Sequence, residues 1–350
     1  MWTACGKDRA PTGGVSRSRC SWVGRTHADT NAFAILSRVG RRQIAITVAG
    51  SAFLLAVVLA ALRVGESPGK LSDWQALVLG IVQGATELLP VSSSGHLILV
   101  PWAGGWHYLQ DHPDFNKTFD VALHLGTLIA VVIYFWGDIV RLARAWWRSL
   151  NRRQVETADE RIAWYVVIAT VPAAIAGAAG ESFIERKLGD PWQIAILLAV
   201  FAIILWIADR VPPRRSIEDI GWKGAVGVGL AQCLALMPGT SRSGVTITLG
   251  RFLKLGRDDA ARLSFLLLIP IVFGAAVLKG AKVAVDGLPP GSAGPFVVGM
   301  IAAAVVGLAA IWGLLGYVRR HTYTVFVVYR LALSAAILIT IGAGWRGKNF

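Results

Sequence analysis

Two stretches of this chain carry reactive side chains where the surrounding residues offer none. QGATELLPVSSSGH, residues 83–96, follows an apolar run with a glutamate, three consecutive serines and a histidine, and LMPGTSRSGVT, residues 236–246, places an arginine between two serines. Each contains a proline, Pro90 or Pro238, that ends a helix, followed by small polar residues on which a second helix can start. A helix that restarts inside a bundle aims unpaired N–H groups and the positive end of its dipole into the gap, which favours an anion, phosphate above all. Arg242 adds a permanent charge with a planar fork suited to phosphate oxygens, so the second stretch reads as an anion cradle.

In the first stretch Glu87 lies one helical turn beyond Gln83 on the same face. A carboxylate beside an anion cradle makes sense if a divalent cation or a proton lies between them. The hydroxyls of Ser92, Ser93 and Ser94 and the imidazole of His96 are what nucleophilic attack or general acid–base work on a phosphoryl group would use. Serines in membrane hairpins often only satisfy backbone groups, a reading that suits Ser92, Ser94 or Ser243 taken singly. It does not suit Glu87, His96 and Arg242 together, three ionisable groups on two segments that converge. His124 and Arg330, inside apolar runs, are further suspects because of the cost of burying them.

The elements that must position these residues are membrane helices. Of 350 residues, 55% are hydrophobic and 16% charged, and the mean hydropathy is +0.56, more apolar than a soluble core requires. The net charge of +14, from 35 Lys plus Arg against 21 Asp plus Glu, clusters between apolar runs. That pattern assigns most of it to the positive-inside bias of cytoplasmic loops and not to nucleic acid. Cys5, Cys20 and Cys233 form no CxxC pair, so neither a disulfide framework nor a zinc site is indicated.

Residues 1–43 carry seven arginines and read as a basic, cytoplasmic, disordered extension, and the apolar run 44–62 reads as an additional transmembrane anchor. Six further spans are expected at 121–136, 162–179, 192–207, 263–281, 296–318 and 324–343. The loop 141–161 holds six arginines, and with the basic loops 209–223 and 251–262 it belongs in the cytoplasm. Two apolar segments are short for a span and broken by proline, so residues 74–103 and 224–250 are expected to be re-entrant hairpins entering from opposite faces. At an offset of 149 residues, GIVQGATELLPVSSSG lies over GLAQCLALMPGTSRSG, matching Gly80, Gln83, Ser92, Ser94 and Gly95 with Gly229, Gln232, Ser241, Ser243 and Gly244. Each hairpin precedes three spans. The fold expected is therefore an all-α polytopic membrane protein with an inverted-topology repeat, halves 71–207 and 224–343, whose broken helices meet near the midplane.

At these residues the chain resembles the undecaprenyl-diphosphatases of the bacitracin-resistance type. Their first motif, (E/Q)xxxE followed by PVSSxGH, stands here as Gln83, Glu87 and PVSSSGH at 90–96, and their second, PGxSRSxxT, as PGTSRSGVT at 238–246. The resemblance runs from residue 71 to about 343. It implies hydrolysis of undecaprenyl diphosphate at the outer face of the bacterial plasma membrane, with a homodimer allowed. It further implies that Glu87, with Gln83 beside it, helps hold a divalent ion, magnesium or calcium. Ser93 and His96 would supply the nucleophile and the acid–base group, in either order. Ser241, Arg242 and Thr246 would hold the diphosphate, with Ser92 and Ser243 beside them. Metal-independent lipid phosphatases of the acid-phosphatase type share the SSSGH and SR pieces but need a second histidine where Thr248 stands. A transporter or flippase of a phosphorylated lipid or anion is the alternative that the architecture allows.

Overall fold

Ser72 starts the first helix. Its hydroxyl accepts from the Gln75 N–H at 3.2 Å while its own N–H donates to Gln75 Oε1 at 3.0 Å, and α1 (Asp73–Glu87) runs on until Pro90. The computed structural model describes residues 70–287 and 292–350; the expected extension 1–43 and anchor 44–62 lie outside the described residues. After α1 come α2 (Ser93–Gly104), a single turn α3 (Tyr108–Asp111), α4 (Pro113–Arg152), α5 (Ala158–Leu188) and α6 (Pro191–Asp209). A 3-10 turn at Ile217–Asp219 leads to α7 (Gly221–Cys233), a second such turn (Leu234–Leu236) and α8 (Arg242–Phe252). The chain continues through α9 (Arg257–Asp286), α10 (Ala293–Val318) and α11 (Thr324–Gly342). No β-strand occurs among the described residues.

Among the described residues six helices, α4, α5, α6, α9, α10 and α11, are long and apolar enough to cross a membrane. α1, α2, α7 and α8 have 15, 12, 13 and 11 residues. At ~1.5 Å per residue they fall short of a ~30 Å hydrocarbon core. They pair as two hairpins, α1–α2 and α7–α8.

Helix ends differ from the apolar runs. The span expected at 121–136 is part of a 40-residue helix that bends at Phe135, and the first part of the arginine-rich loop expected at 141–161 is helical to Arg152. The hydrocarbon boundary limits hydrophobicity but does not break backbone hydrogen bonds. With no Gly or Pro between 138 and 152, the helix continues until Arg153 closes it in a left-handed conformation, φ 52°. For the same reason α9 begins six residues before its apolar run, at Arg257, where Asp258 pairs with Arg262 at 2.8 Å.

Packing crosses between the halves. α1 lies so close to α10 that a Cβ on Gly80 would come within 2.3 Å of the Gly299 carbonyl oxygen, and α7 so close to α5 that one on Gly229 would come within 2.7 Å of the Ala169 oxygen. These two glycines, matched in sequence, thus do the same work for their hairpins, as small residues do wherever membrane helices approach closely. α6 and α11 pack together, with the Ser334 hydroxyl donating to the Ala195 carbonyl at 2.7 Å. Leu88 and Val91, at the bend of the first hairpin, are buried in one apolar cluster with Phe135, Ile247 and Phe265.

Gly80→Val is therefore expected to lose about 3 kcal/mol, because backbone and not a mobile side chain blocks the new atoms. Gly313→Ala, whose Cβ would meet nothing within 4 Å, is expected to unfold with the parent. Thermal unfolding of both variants in detergent checks this; an undiminished Gly80→Val would mean that α1 and α10 are not in contact.

Candidate active site

Both hairpins turn on a serine. Ser92 and Ser241 have φ of 75° and 76°, and each caps the helix that follows: the Ser92 hydroxyl accepts from the Gly95 N–H at 3.3 Å and that of Ser241 from the Gly244 N–H at 3.0 Å. The bends also satisfy one another. The Gly239 N–H donates to Ser92 Oγ at 3.0 Å, and Ser243 Oγ donates to the Leu89 carbonyl at 2.8 Å.

Arg330 completes this junction from α11. It is wholly buried and donates to the carbonyls of Pro90 at 3.3 Å, Gly239 at 2.9 Å, Thr240 at 3.1 Å and Leu198 at 3.1 Å. One guanidinium thus satisfies both broken helices and ties them to α6. No carboxylate among the described residues pairs with it, so its charge adds to the positive potential at the helix starts.

Glu87, 5% exposed on the last turn of α1, is the centre of the reactive groups. Its Oε2 accepts from Ser93 Oγ at 2.5 Å and from Gln83 Nε2 at 3.2 Å, with His124 Nε2 of α4 at 3.4 Å. Its Oε1 accepts from Arg242 Nη2 at 3.1 Å and Nε at 3.4 Å. Arg242 Nη1 donates to the Ser264 carbonyl of α9 at 2.8 Å, which aims the guanidinium back at the first hairpin. The arrangement puts a hydroxyl in line with a buried carboxylate that can take its proton, beside a guanidinium and two helix N-termini.

Gln83, Glu87, Ser93 and Arg242 are thus brought together. His96 bonds elsewhere: Nδ1 is 2.6 Å from the Ser92 carbonyl oxygen and Nε2 2.7 Å from the Tyr329 hydroxyl. The hydroxyls of Ser92, Ser241 and Ser243 serve as the caps and bridges described above. Thr246 Oγ1 donates to the Arg242 carbonyl at 2.9 Å and meets Ser264 Oγ at 2.8 Å. Ser264 and Tyr329 escaped sequence reasoning altogether. A polar Tyr-Arg pair within an apolar span was a usable signal for Tyr329; nothing in the sequence singled out Ser264. His124 stood out by its burial cost, but its partner is 37 positions away.

For a divalent cation the donors on offer are Glu87 and Gln83 Oε1, a buried oxygen without a hydrogen-bond partner. No group of three His, Cys, Asp or Glu side chains that could hold a metal occurs among the described residues. This set fits an ion of the magnesium kind, which takes one or two carboxylates and completes its shell with phosphate oxygens and water; it does not fit a closed protein cage.

Fold and site together define a multi-pass helical membrane protein with a serine–carboxylate–arginine centre suited to an anionic headgroup. Residues 76–336 match the model of the family described as bacitracin resistance protein BacA. A Thermomicrobium roseum protein named undecaprenyl-diphosphatase is 44% identical over 277 residues, covering 77% of this chain and 98% of the relative. Proteins of the same name from Rubrobacter xylanophilus, 46% identical over 266 residues, and Geobacter sulfurreducens, 46% over 265, each cover 75% of this chain and 96% of the relative. The chain belongs to the bacitracin resistance protein BacA family.

Removing the junction should cost stability and activity together. Arg330→Met leaves the buried carbonyls of Pro90, Gly239 and Thr240 without that donor, at about 1–3 kcal/mol each where no substitute is found. Its unfolding temperature is expected to fall by about four degrees or more, on the order of 3 kcal/mol in a chain of this size. A thermal scan that matched the parent would mean that these carbonyls have other donors.

Proposed function

We propose that this protein hydrolyses undecaprenyl diphosphate to undecaprenyl phosphate and inorganic phosphate, recycling the lipid carrier of bacterial cell-wall synthesis and conferring resistance to bacitracin. The observation that carries this reading is the 2.5 Å contact of Ser93 Oγ with Glu87 beside Arg242. Phosphoryl transfer needs a nucleophile, a proton acceptor and a fixed positive charge, whereas moving the same lipid across the membrane needs no nucleophile. The named relatives, matched over nearly their whole length, also favour hydrolysis over transport.

In this reading Ser93 Oγ attacks the terminal phosphorus and its proton passes to Glu87. The bond from that phosphorus to the bridging oxygen breaks, and undecaprenyl phosphate leaves. Water then attacks the phosphoserine, the phosphorus–Oγ bond breaks, Oγ regains a proton and inorganic phosphate is released. His96 handles protons at the leaving oxygen and the water. Arg242 turns from Glu87 to the diphosphate, together with the first-turn N–H groups of α2 and α8, which Ser92, Ser241, Ser243 and Thr246 hold in place. A divalent cation, magnesium or calcium, would rest on Glu87 and Gln83 and neutralise phosphate charge.

The two hairpins form the centre of an inverted-topology repeat, α1–α6 against α7–α11, each hairpin re-entering from its own face. Supporting this, α1 packs on α10 as α7 packs on α5, so each hairpin leans on the second long helix of the other half. The arginine-rich C-terminal end of α4 and the basic loops that follow α4, α6 and α8 lie in the cytoplasm by the positive-inside rule, the N-terminus lies there too, and the site opens outward from the bacterial plasma membrane. The assembly is a monomer or a homodimer.

Purified protein in detergent, where no gradient exists, is expected to release phosphate from undecaprenyl diphosphate and to stop on addition of EDTA. Arg242→Ala is expected to lower turnover by roughly 10²-fold or more, like the loss of other preorganised donors. Ser93→Ala, which removes the nucleophile, is expected to fall at least as far. Near-normal turnover by Arg242→Ala would sink the placing of the diphosphate on the second hairpin. No release by well-folded parent protein would return the transport reading.

A further inference from the structure

α11 brings two adjacent polar residues to the apolar centre, and Arg330 accounts for only one of them. The Tyr329 hydroxyl lies 2.7 Å from His96 Nε2, and the two rings stack at 5.7 Å with 8° between their planes. On the other side of the imidazole, Nδ1 lies 2.6 Å from the Ser92 carbonyl oxygen. A carbonyl oxygen only accepts, so Nδ1 carries a hydrogen and the neutral ring keeps its lone pair on Nε2. The tyrosine O–H donates to that lone pair.

We propose that Tyr329 is a positioning residue for the hydrolysis, fixing the ring of His96 so that Nε2 is the one atom at which it takes up and releases a proton. The inference rests on the acid–base role given to His96 above. A phenol suits the task because its oxygen both donates and accepts. Neutral His96 accepts from the O–H, and a proton reaches Nε2 along that bond: the phenol passes its own proton to Nε2 as its oxygen takes up another from water, and the imidazolium then donates Nε2–H back to the same oxygen. No heavy atom moves between the two states. The Ser92 carbonyl holds Nδ1–H throughout, and this is the carbonyl of the residue that caps α2, so the base is registered to the helix that bears Ser93.

Tyr329→Phe keeps the ring and its stacking and removes only the hydroxyl. Its kcat is expected to fall about tenfold with KM within about twofold, the split of a group acting on the chemical step and not on binding. The 15N spectrum of histidine-labelled protein, with His96 assigned by its absence in His96→Gln, gives a reading that does not depend on turnover. It should contain an Nδ1-protonated ring in both the parent and Tyr329→Phe, with the Nε2 resonance moving when the hydroxyl is lost. Parent-like kcat in Tyr329→Phe, or an unmoved Nε2 resonance, overturns the inference. Full turnover by His96→Gln would overturn the acid–base role of His96 itself, and the inference with it.

Discussion

A carboxylate buried inside a membrane bundle has to be surrounded by donors, because taken out of bulk water an unpaired charge costs several kcal/mol. Glu87 meets this constraint by drawing on four elements at once: Gln83 from its own helix α1, Ser93 from α2, His124 from α4 and Arg242 from α8. Each donor sits on a helix that must be held at a fixed distance, so the tolerance of this one group fixes the bundle around it. It also makes the centre chemical. In the proposed hydrolysis the donor that solvates the carboxylate at the shortest distance, Ser93, is the nucleophile, and the one that balances its charge, Arg242, binds the phosphate.

Breaking two helices at membrane depth creates a second debt of unpaired backbone groups. The bends settle it by meeting: Ser92 accepts from Gly239, Ser243 donates to Leu89, and Arg330 donates to the remaining carbonyls of Pro90, Gly239 and Thr240. The N–H groups at the first two positions of α2 and α8, ahead of the capped Gly95 and Gly244, are left over, and these are the groups an anion would take. A buried arginine without a carboxylate beside it would be a poor choice for stability alone. Here each of its three nitrogens has a carbonyl acceptor, and its surplus charge favours an anion.

Much of this was legible in sequence. Six apolar runs of sufficient length, two short runs broken at Pro90 and Pro238, and the conjunction of Glu87, Ser93, His96 and Arg242 are local patterns, and composition is enough to read them. Helix ends were not, since Arg141–Arg152 follows helical propensity past the point where hydrophobicity stops. Nor were the partnerships. Whether Ser93 faces His96 or Glu87, and that His96 reaches Tyr329 at a separation of 233 residues, depends on how α2 and α11 cross. Gln83 and Gln232 match in sequence, yet Gln83 donates to Glu87 while Gln232 donates to the Ala169 carbonyl. Identity at matched positions therefore predicted placement but not role.

That last contrast separates scaffold from chemistry. At the offset of 149 residues, three of the five positions that agree between the hairpins, Ser92 with Ser241, Ser94 with Ser243 and Gly95 with Gly244, lie at the bends and their caps, where the same backbone turn must be made twice. The side chains that could react have no counterpart of their own kind: Glu87 stands opposite Leu236, Ser93 opposite Arg242 and His96 opposite Val245. A symmetric site would set two carboxylates or two guanidiniums face to face, and like charges at such range repel in a low dielectric. Asymmetry turns that repulsion into attraction, with carboxylate, hydroxyl and imidazole on one hairpin and the guanidinium on the other. A lipid whose tail cannot leave the bilayer, at ~0.8 kcal/mol per buried CH₂, brings its headgroup to such a centre from the side. In the proposed hydrolysis Arg242 would hold it against the hairpin that carries Ser93.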